Sequence, residues 1–250
     1  RDNGTGTFNL DGGTVNATKI SGGTGSATVN FNGGVLKAKR DEANLVENLD
    51  TANVDSGGIK IDSNGFNVAT SQALSGTGGL EKSGAGSLTL NAASTYTGPT
   101  LVSAGTLTLA LNSSITSAVT VADGAALGGA GTIAGDLSFN SGAKFAFSLT
   151  QTLLANGATV SFAGFGIDDL VGLSSATTVG LYNLIGGTAI INTNGLSNLG
   201  AANAADLGDG KSAYFTEGSL QVNVVPEPST YALLVLAGLG LAGHVIRRRR

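Results

Sequence analysis

The sequence predicts an all-β chain, a stacked β-solenoid followed by a single C-terminal transmembrane helix. Three observations carry that prediction. Glycine makes up 40 of 250 residues amid many Thr, Ser and Asn. Apolar residues recur in short alternating runs at intervals of about 20 residues. An uncharged apolar stretch near the C-terminus is closed by four consecutive arginines.

Proline occurs only 3 times, so Gly and Pro together stay below the range that marks disorder. Charged residues are 12% and apolar residues 41%, which is enough core material for a packed domain. The formal net charge is −4, with 13 basic residues against 17 acidic. Four of those basic residues end the chain, so the body is more acidic than the total shows and has no electrostatic footprint for nucleic acid. Cysteine is absent, which excludes disulfides, thiolate metal sites and Cys nucleophiles. The chain begins at Arg1 and has no Met, so the expectation is a fragment or a processed chain.

The repeat opens the sequence. Residues 6–17 read GTFNLDGGTVNA and residues 27–38 read ATVNFNGGVLKA, an offset of 21. Thr7 matches Thr28, Asn9 matches Asn30, and Gly12-Gly13 matches Gly33-Gly34; the pairs Phe8/Val29, Leu10/Phe31 and Val15/Leu36 stay apolar. Period-two alternation buries one face of each strand, and Gly or Asn at the corners tolerates positive φ. Ile59, Ile61, Phe66 and Val68 continue the pattern around residues 62–65, and Leu88/Leu90 return as Leu107/Leu109 at an offset of 19. One such coil cannot bury its inner face alone, so coils must stack. An antiparallel sandwich also gives short alternating strands, but the regular offset favours the solenoid. Residues 41–50, with Leu45 and Leu49 four apart, are the one expected helical interruption. The repeat fades after about residue 145, so residues 1–145 are expected to be solenoid and 146–224 an irregular β cap with a strand near Leu220 to Val225.

Residues 76–109 carry a family resemblance. Gly79, Leu80, Lys82, Gly84, Gly86 and Leu88, then Tyr96, Thr97, Gly98 and Thr100, then Gly105, Thr106 and Leu107, resemble the passenger-associated repeat of autotransporter-type surface proteins. Pro99 replaces the usual small residue. The resemblance implies a right-handed parallel β-helix exposed at a cell surface and implies no chemistry. A complete autotransporter is disfavoured, because the chain ends in one apolar segment and not in a barrel of alternating strands.

The C-terminal signal occupies residues 225–250. Residues 231–246 form a 16-residue uncharged run that includes Tyr231, Leu233, Leu234, Leu236, Leu239, Leu241 and Ile246. As a helix it reaches about 24 Å, short of a hydrocarbon core of about 30 Å, a gap that bilayer thinning and snorkelling close. Arg247, Arg248, Arg249 and Arg250 read as a stop-transfer tail, which places the C-terminus in the cytoplasm and the body outside. Pro226, Glu227 and Pro228 precede the run. This order of parts closely resembles the PEP-CTERM sorting domain of Gram-negative bacteria that make extracellular polysaccharide. The resemblance implies that Pro226-Glu227-Pro228 marks the processing site of a membrane-embedded exosortase. It also implies an exported protein of the envelope or extracellular matrix, with extracellular polysaccharide as an expected partner.

Catalytic motifs are sparse. The single His, His244, lies in the apolar run and is expected to face the headgroups. With no other His, a Ser-His-Asp triad and a typical zinc site are excluded from the body. Asp168-Asp169 is an adjacent acidic pair in the β-region, and neighbouring side chains of a strand do not converge. Asp206 with Asp209-Gly210 lacks EF-hand spacing. Residues 128–134 partly mimic a dinucleotide loop without its βαβ context. The expectation is a structural or adhesive surface protein with no catalytic, cofactor or metal residues. Its rival is a β-helix glycan lyase or hydrolase, which would need carboxylates converging with a base such as Lys60, Lys82 or Lys144.

Overall fold

The computed structural model describes residues 4–157, 159–216 and 220–227. They build a parallel β-solenoid of about eight turns with no α-helix. Each full coil contributes short strands to three faces. The first face begins with strands Thr5–Leu10, Ser26–Phe31 and Thr51–Val54. The second is an unbroken nine-stranded parallel sheet from Thr14–Ala17 to Ile190–Ile191. The third runs through Asn67–Thr70, Ser87–Leu90, Thr106–Leu109, Ala126–Gly129, Lys144–Ala146 and Leu170–Val171.

The sequence repeat is the structural register. Thr7 pairs with Thr28, Asn9 with Asn30 and Leu10 with Phe31, the same partners that the offset of 21 aligns. The offset of 19 likewise sets Leu88 beside Leu107 and Leu90 beside Leu109. Stacking then turns alternation into columns. On the third face Val68, Leu88, Leu107, Leu127, Phe145 and Leu170 follow one another inward, and every one is buried. Burying an aliphatic side chain of this size stabilises by about 1.5–3 kcal/mol, so the column is held by summed burial and not by any single contact. Outward positions are polar: Asn30 Nδ2 donates to Asn9 Oδ1 at 2.7 Å across two coils.

Residues 41–50 do not form the expected helix. Glu42 bridges Val68, the Leu45 amide donates to Ala69 O at 2.7 Å, and Val46–Glu47 pairs parallel with Ile20–Ser21. Leu45 is buried because it completes the third face of its coil, and Leu49 packs partly buried after the corner. Two leucines four apart here reflect a strand residue plus a corner residue, which a helical period cannot distinguish over ten positions.

The parallel coils continue through Leu153–Ala155, Thr159–Phe162 and Ile190–Ile191 before the topology changes. Gly180–Gly187 pairs parallel with Leu153–Ala155 and antiparallel with Leu220–Pro226. Lys211–Phe215 and Ala205–Gly208 extend that antiparallel sheet. A solenoid end would otherwise present unpaired backbone, and this sheet covers it. Below it lies an aromatic cluster in which Phe139, Phe162 and Phe165 sit 5.2–5.3 Å apart, with Phe215 of the cap 6.0 Å from Phe165.

Candidate functional site at the C-terminal cap

The last strand, Leu220–Pro226, lies between two others, with Val222 and Val224 fully buried. It alternates, with Leu220, Val222 and Val224 on the buried face and Asn223 on the other, where Asn223 Nδ2 donates to Tyr214 Oη at 2.8 Å. Pro226 pairs with Lys211 at the strand's end, where its missing N–H costs no ladder bond on the side beyond Gly180. The Glu227 amide then donates to Gly210 O at 2.8 Å. Lys211 Nζ in turn donates to Ser175 O and to Thr177 O at 2.9 Å, tying the 174–177 loop to the same corner. Pro226 and Glu227 are therefore part of the folded cap. Pro228, the apolar run that includes Tyr231, Leu233, Leu234, Leu236, Leu239, Leu241 and Ile246, and the tail Arg247, Arg248, Arg249 and Arg250 lie outside the described residues. Among the described residues no helix is long and apolar enough to cross a membrane.

The second constellation is the glycine- and lysine-bearing coil around residues 80–109. Leu80, Leu88 and Leu107 point into the core. Lys82 does too, although it is charged. It occupies the inward column between Ile61 and Val102 and has no solvent exposure. Its Nζ donates to Ser83 O at 2.9 Å, Gly84 O at 2.8 Å and Ala104 O at 3.0 Å, so the ammonium ties together the corners of two consecutive coils. Burial pushes its pKa down to about 8, with Asp62 acting in the opposite sense. Tyr96 is the matching buried anchor at another corner: its hydroxyl lies 2.6 Å from Thr100 Oγ1, which lies 2.9 Å from Ser117 Oγ. Burial pushes the Tyr96 phenol up to about 12 against those hydrogen bonds. Gly86 and Gly105 both hold positive φ, and a Cβ on Gly105 would strike the Gly86 and Gly84 carbonyl oxygens.

Two family models match these two regions. The passenger-associated-transport-repeat matches residues 80–109, and the PEP-CTERM protein-sorting motif matches residues 224–250. The chain carries both motifs. No curated protein and no solved structure matches it. The sorting motif implies export to the cell envelope and processing by exosortase-type machinery. Its first residues, Val224, Val225, Pro226 and Glu227, are the ones the cap holds in place.

The remaining candidate residues have structural partners. Asp169 Oδ2 accepts from the Gly166 amide at 2.8 Å within the 3₁₀ turn Ile167–Asp169, and its Oδ1 lies 3.9 Å from Lys144 Nζ. Asp168 is exposed on that turn. Asp206 Oδ1 accepts from the Gly208 amide, and Asp209 takes a positive φ in the hairpin turn. Lys60 lies 3.4 Å from Glu81 across two coils, and Lys37 lies 3.1 Å from Asp62. A surface cluster joins Lys19 to Glu47 at 2.7 Å and to Glu42 at 3.8 Å. The Glu47 hydrogen bond raises the Lys19 pKa, and the Asn44 amide lowers that of Glu42. No group of three His, Cys, Asp or Glu side chains able to hold a metal occurs among the described residues. The cap's loop tie through Lys211 carries no sequence signature, because one lysine donating to two carbonyls follows no spacing rule.

Proposed function

We propose that this is an exported, non-enzymatic surface or matrix protein, structural or adhesive, delivered by its C-terminal signal. In this reading residues 231–246 cross the inner membrane, with Arg247, Arg248, Arg249 and Arg250 in the cytoplasm. An exosortase-type enzyme then acts near Pro226, Glu227 and Pro228, and extracellular polysaccharide is the partner of the displayed rod.

One observation carries the reading: the sorting motif begins where the sealed solenoid ends, with no linker between them. The whole folded body therefore travels as one unit up to the processing site. A structural role is supported by what the charged side chains do. Lys60 and Lys144 lie within ion-pair distance of Glu81 and Asp169, and Lys82 has no solvent exposure. A general base must be able to reach substrate, and a side chain occupied in this way is poorly placed to do so.

The test is the intact mass of the protein from its native cells, in membrane and released fractions. A released form ending near Pro226 to Pro228 is expected. A form retaining Arg250 in every fraction would remove the processing step and leave a permanent anchor. Turnover of an acidic or neutral polysaccharide by the purified protein would overturn the non-enzymatic assignment.

A further inference from the structure

We propose that the outer surface of the first face binds the surface of ice, through an uncharged array of threonine and asparagine side chains held in register by the parallel strands.

The array follows from the pairing. Thr7 pairs with Thr28 and Thr28 with Thr51, while Asn9 pairs with Asn30 and Asn30 with Asn53. The residues between and beyond them, Val29, Ala52, Leu10, Phe31 and Val54, are buried. Alternation therefore turns each Thr and Asn of this Thr-x-Asn pattern outward, and none of them is buried. Ser75 extends the asparagine rank beside Asn53. The next coils keep the same chemistry. The Thr95 and Thr97 amides donate to Leu74 O and Gly76 O at 2.8 and 3.0 Å, and their exposed side chains flank buried Tyr96. Thr116 is likewise exposed beside buried Ile115.

Geometry points to a lattice and not to a single molecule. Neighbouring strands lie about 4.7–4.9 Å apart, and residues i and i+2 of one strand about 6.6–6.8 Å apart. The two ranks thus form a rectangular net of polar groups, and the oxygen atoms on a prism face of hexagonal ice recur in two perpendicular directions at spacings close to these. The net is also held still. Threonine is restricted at χ1, and Asn30 Nδ2 donates to Asn9 Oδ1 at 2.7 Å, so the first two amides form a ladder. Groups ordered in advance lose little freedom when they bind. Each threonine sets a methyl beside its hydroxyl, so water caged over the methyl is anchored by the neighbouring polar group.

Charge separates this face from the next. On the second face Lys37 lies 3.1 Å from Asp62 and Lys60 lies 3.4 Å from Glu81, all at outward positions. Ions orient water around themselves in a shell that ice cannot accommodate, and the Thr-x-Asn ranks carry none. The nearest carboxylates stand in the corners that bound the strands, where Asp50 Oδ2 accepts from the Ala27 amide and Asp11 Oδ1 from Asn32 Nδ2. A sugar is the other neutral ligand such a face could meet. Sites for small organic ligands are lined largely by apolar and aromatic side chains, and the array presents hydroxyls and amides with no ring among them.

Ice is grown slowly as a hemisphere from a dilute detergent solution of the full chain, and the protein content of ice and remaining liquid is compared. The wild-type chain is expected to enter the ice several-fold more than a reference globular protein in the same solution. Thr28→Tyr sets a ring over the middle of the array and is expected to return the ratio to that of the reference. Asn30→Lys, which adds a charge to the other rank, is expected to do the same. Thr120→Tyr makes the equivalent change on the second face, between buried Val119 and Val121, and is expected to leave the ratio unchanged. Exclusion of the wild-type chain from ice would overturn the proposal, as would equal loss in Thr28→Tyr and Thr120→Tyr. Exclusion from ice combined with retention on an insoluble neutral polysaccharide, abolished by Thr28→Tyr, would overturn it and give the face to a glycan.

Discussion

Replacing Lys82 by Met tests whether the buried ammonium is a structural clamp. Lys82 carries a charge into a column of Ile61, Val102 and Val121, and three carbonyl oxygens receive it within 3.0 Å. Burial nonetheless favours the neutral amine: a pKa lowered from 10.5 to about 8 corresponds to about 3 kcal/mol at 1.36 kcal/mol per unit, the margin by which desolvation outweighs what the fold returns to the charge. The cost of Met is then the loss of donors, at about 1–3 kcal/mol for each buried carbonyl left unpaired. Met fills the same column without charge but leaves Ala104 O and Gly84 O without their lysine donor, whereas Ser83 O keeps the Ser63 amide at 3.1 Å and the single Ser63 hydroxyl proton has its shortest acceptor in Ala85 O at 2.6 Å. Lys82→Met is therefore expected to destabilise by about 2–5 kcal/mol near neutral pH.

The pH dependence fixes the sign. The folded pKa lies below that of the unfolded chain, so between about 8 and 10.5 the unfolded chain binds more protons. Stability then rises with pH in that window. From about pH 7 to about pH 9.5 the shift alone gives a rise of about 2 kcal/mol, and the carbonyl cradle, which favours the ammonium, reduces it to about 1–2 kcal/mol. Urea unfolding of both proteins at the two pH values measures this, and the gap between wild type and Lys82→Met should widen as pH rises. Tyr96, pushed up to about 12, lowers stability only above about pH 10 and does so in both proteins. A gap that narrows towards pH 9.5 would refute the reasoning, because it would mean that the cradle holds the ammonium more strongly than water does.

Three further outcomes are expected. Gly105→Ala puts a Cβ at a φ of 67° against the Gly86 and Gly84 carbonyls and should cost well over the 1–3 kcal/mol of backbone strain alone. Gly124→Ala, at a φ of 71° with open space around it, should cost about 1 kcal/mol, both read from urea midpoints. Val224→Asp places an unpaired carboxylate in the buried face of the sorting strand and should loosen the cap by several kcal/mol, so a pulse-chase in native cells should show faster conversion to the released form. Unchanged release would mean that processing does not require the strand to detach.

The stacking was legible because it repeats. Thr7/Thr28 and Leu88/Leu107 keep their residue types at one coil's spacing, so the offset in the sequence is the register in the sheet. Residues 41–50 misled for the complementary reason: a corner breaks the alternation, and Leu45 and Leu49 then imitate a helical face. The cap was legible only as its last strand. Phe139, Phe162, Phe165 and Phe215 meet through three different connections, so no period links them. The burial of Lys82 is opposite to what its charge predicts, and only its place in a repeat motif marks it as special.

The two ends of the solenoid differ in a way that bears on sorting. At the first coil, Thr5–Leu10 has Ser26–Phe31 as its strand partner among the described residues, and Phe8 stays 40% exposed. At the other end the direction of pairing reverses, and the reversal is made by the strand that leads into the sorting motif. A coil can be added to a parallel edge, whereas an antiparallel sheet laid across the end forbids further stacking. The residues that stop the solenoid are thus the residues that start the signal. Phe215, which pairs with Val222 of that strand, lies 6.0 Å from Phe165, so the strand that enters the signal is packed through Phe215 onto the aromatic cluster that closes the body.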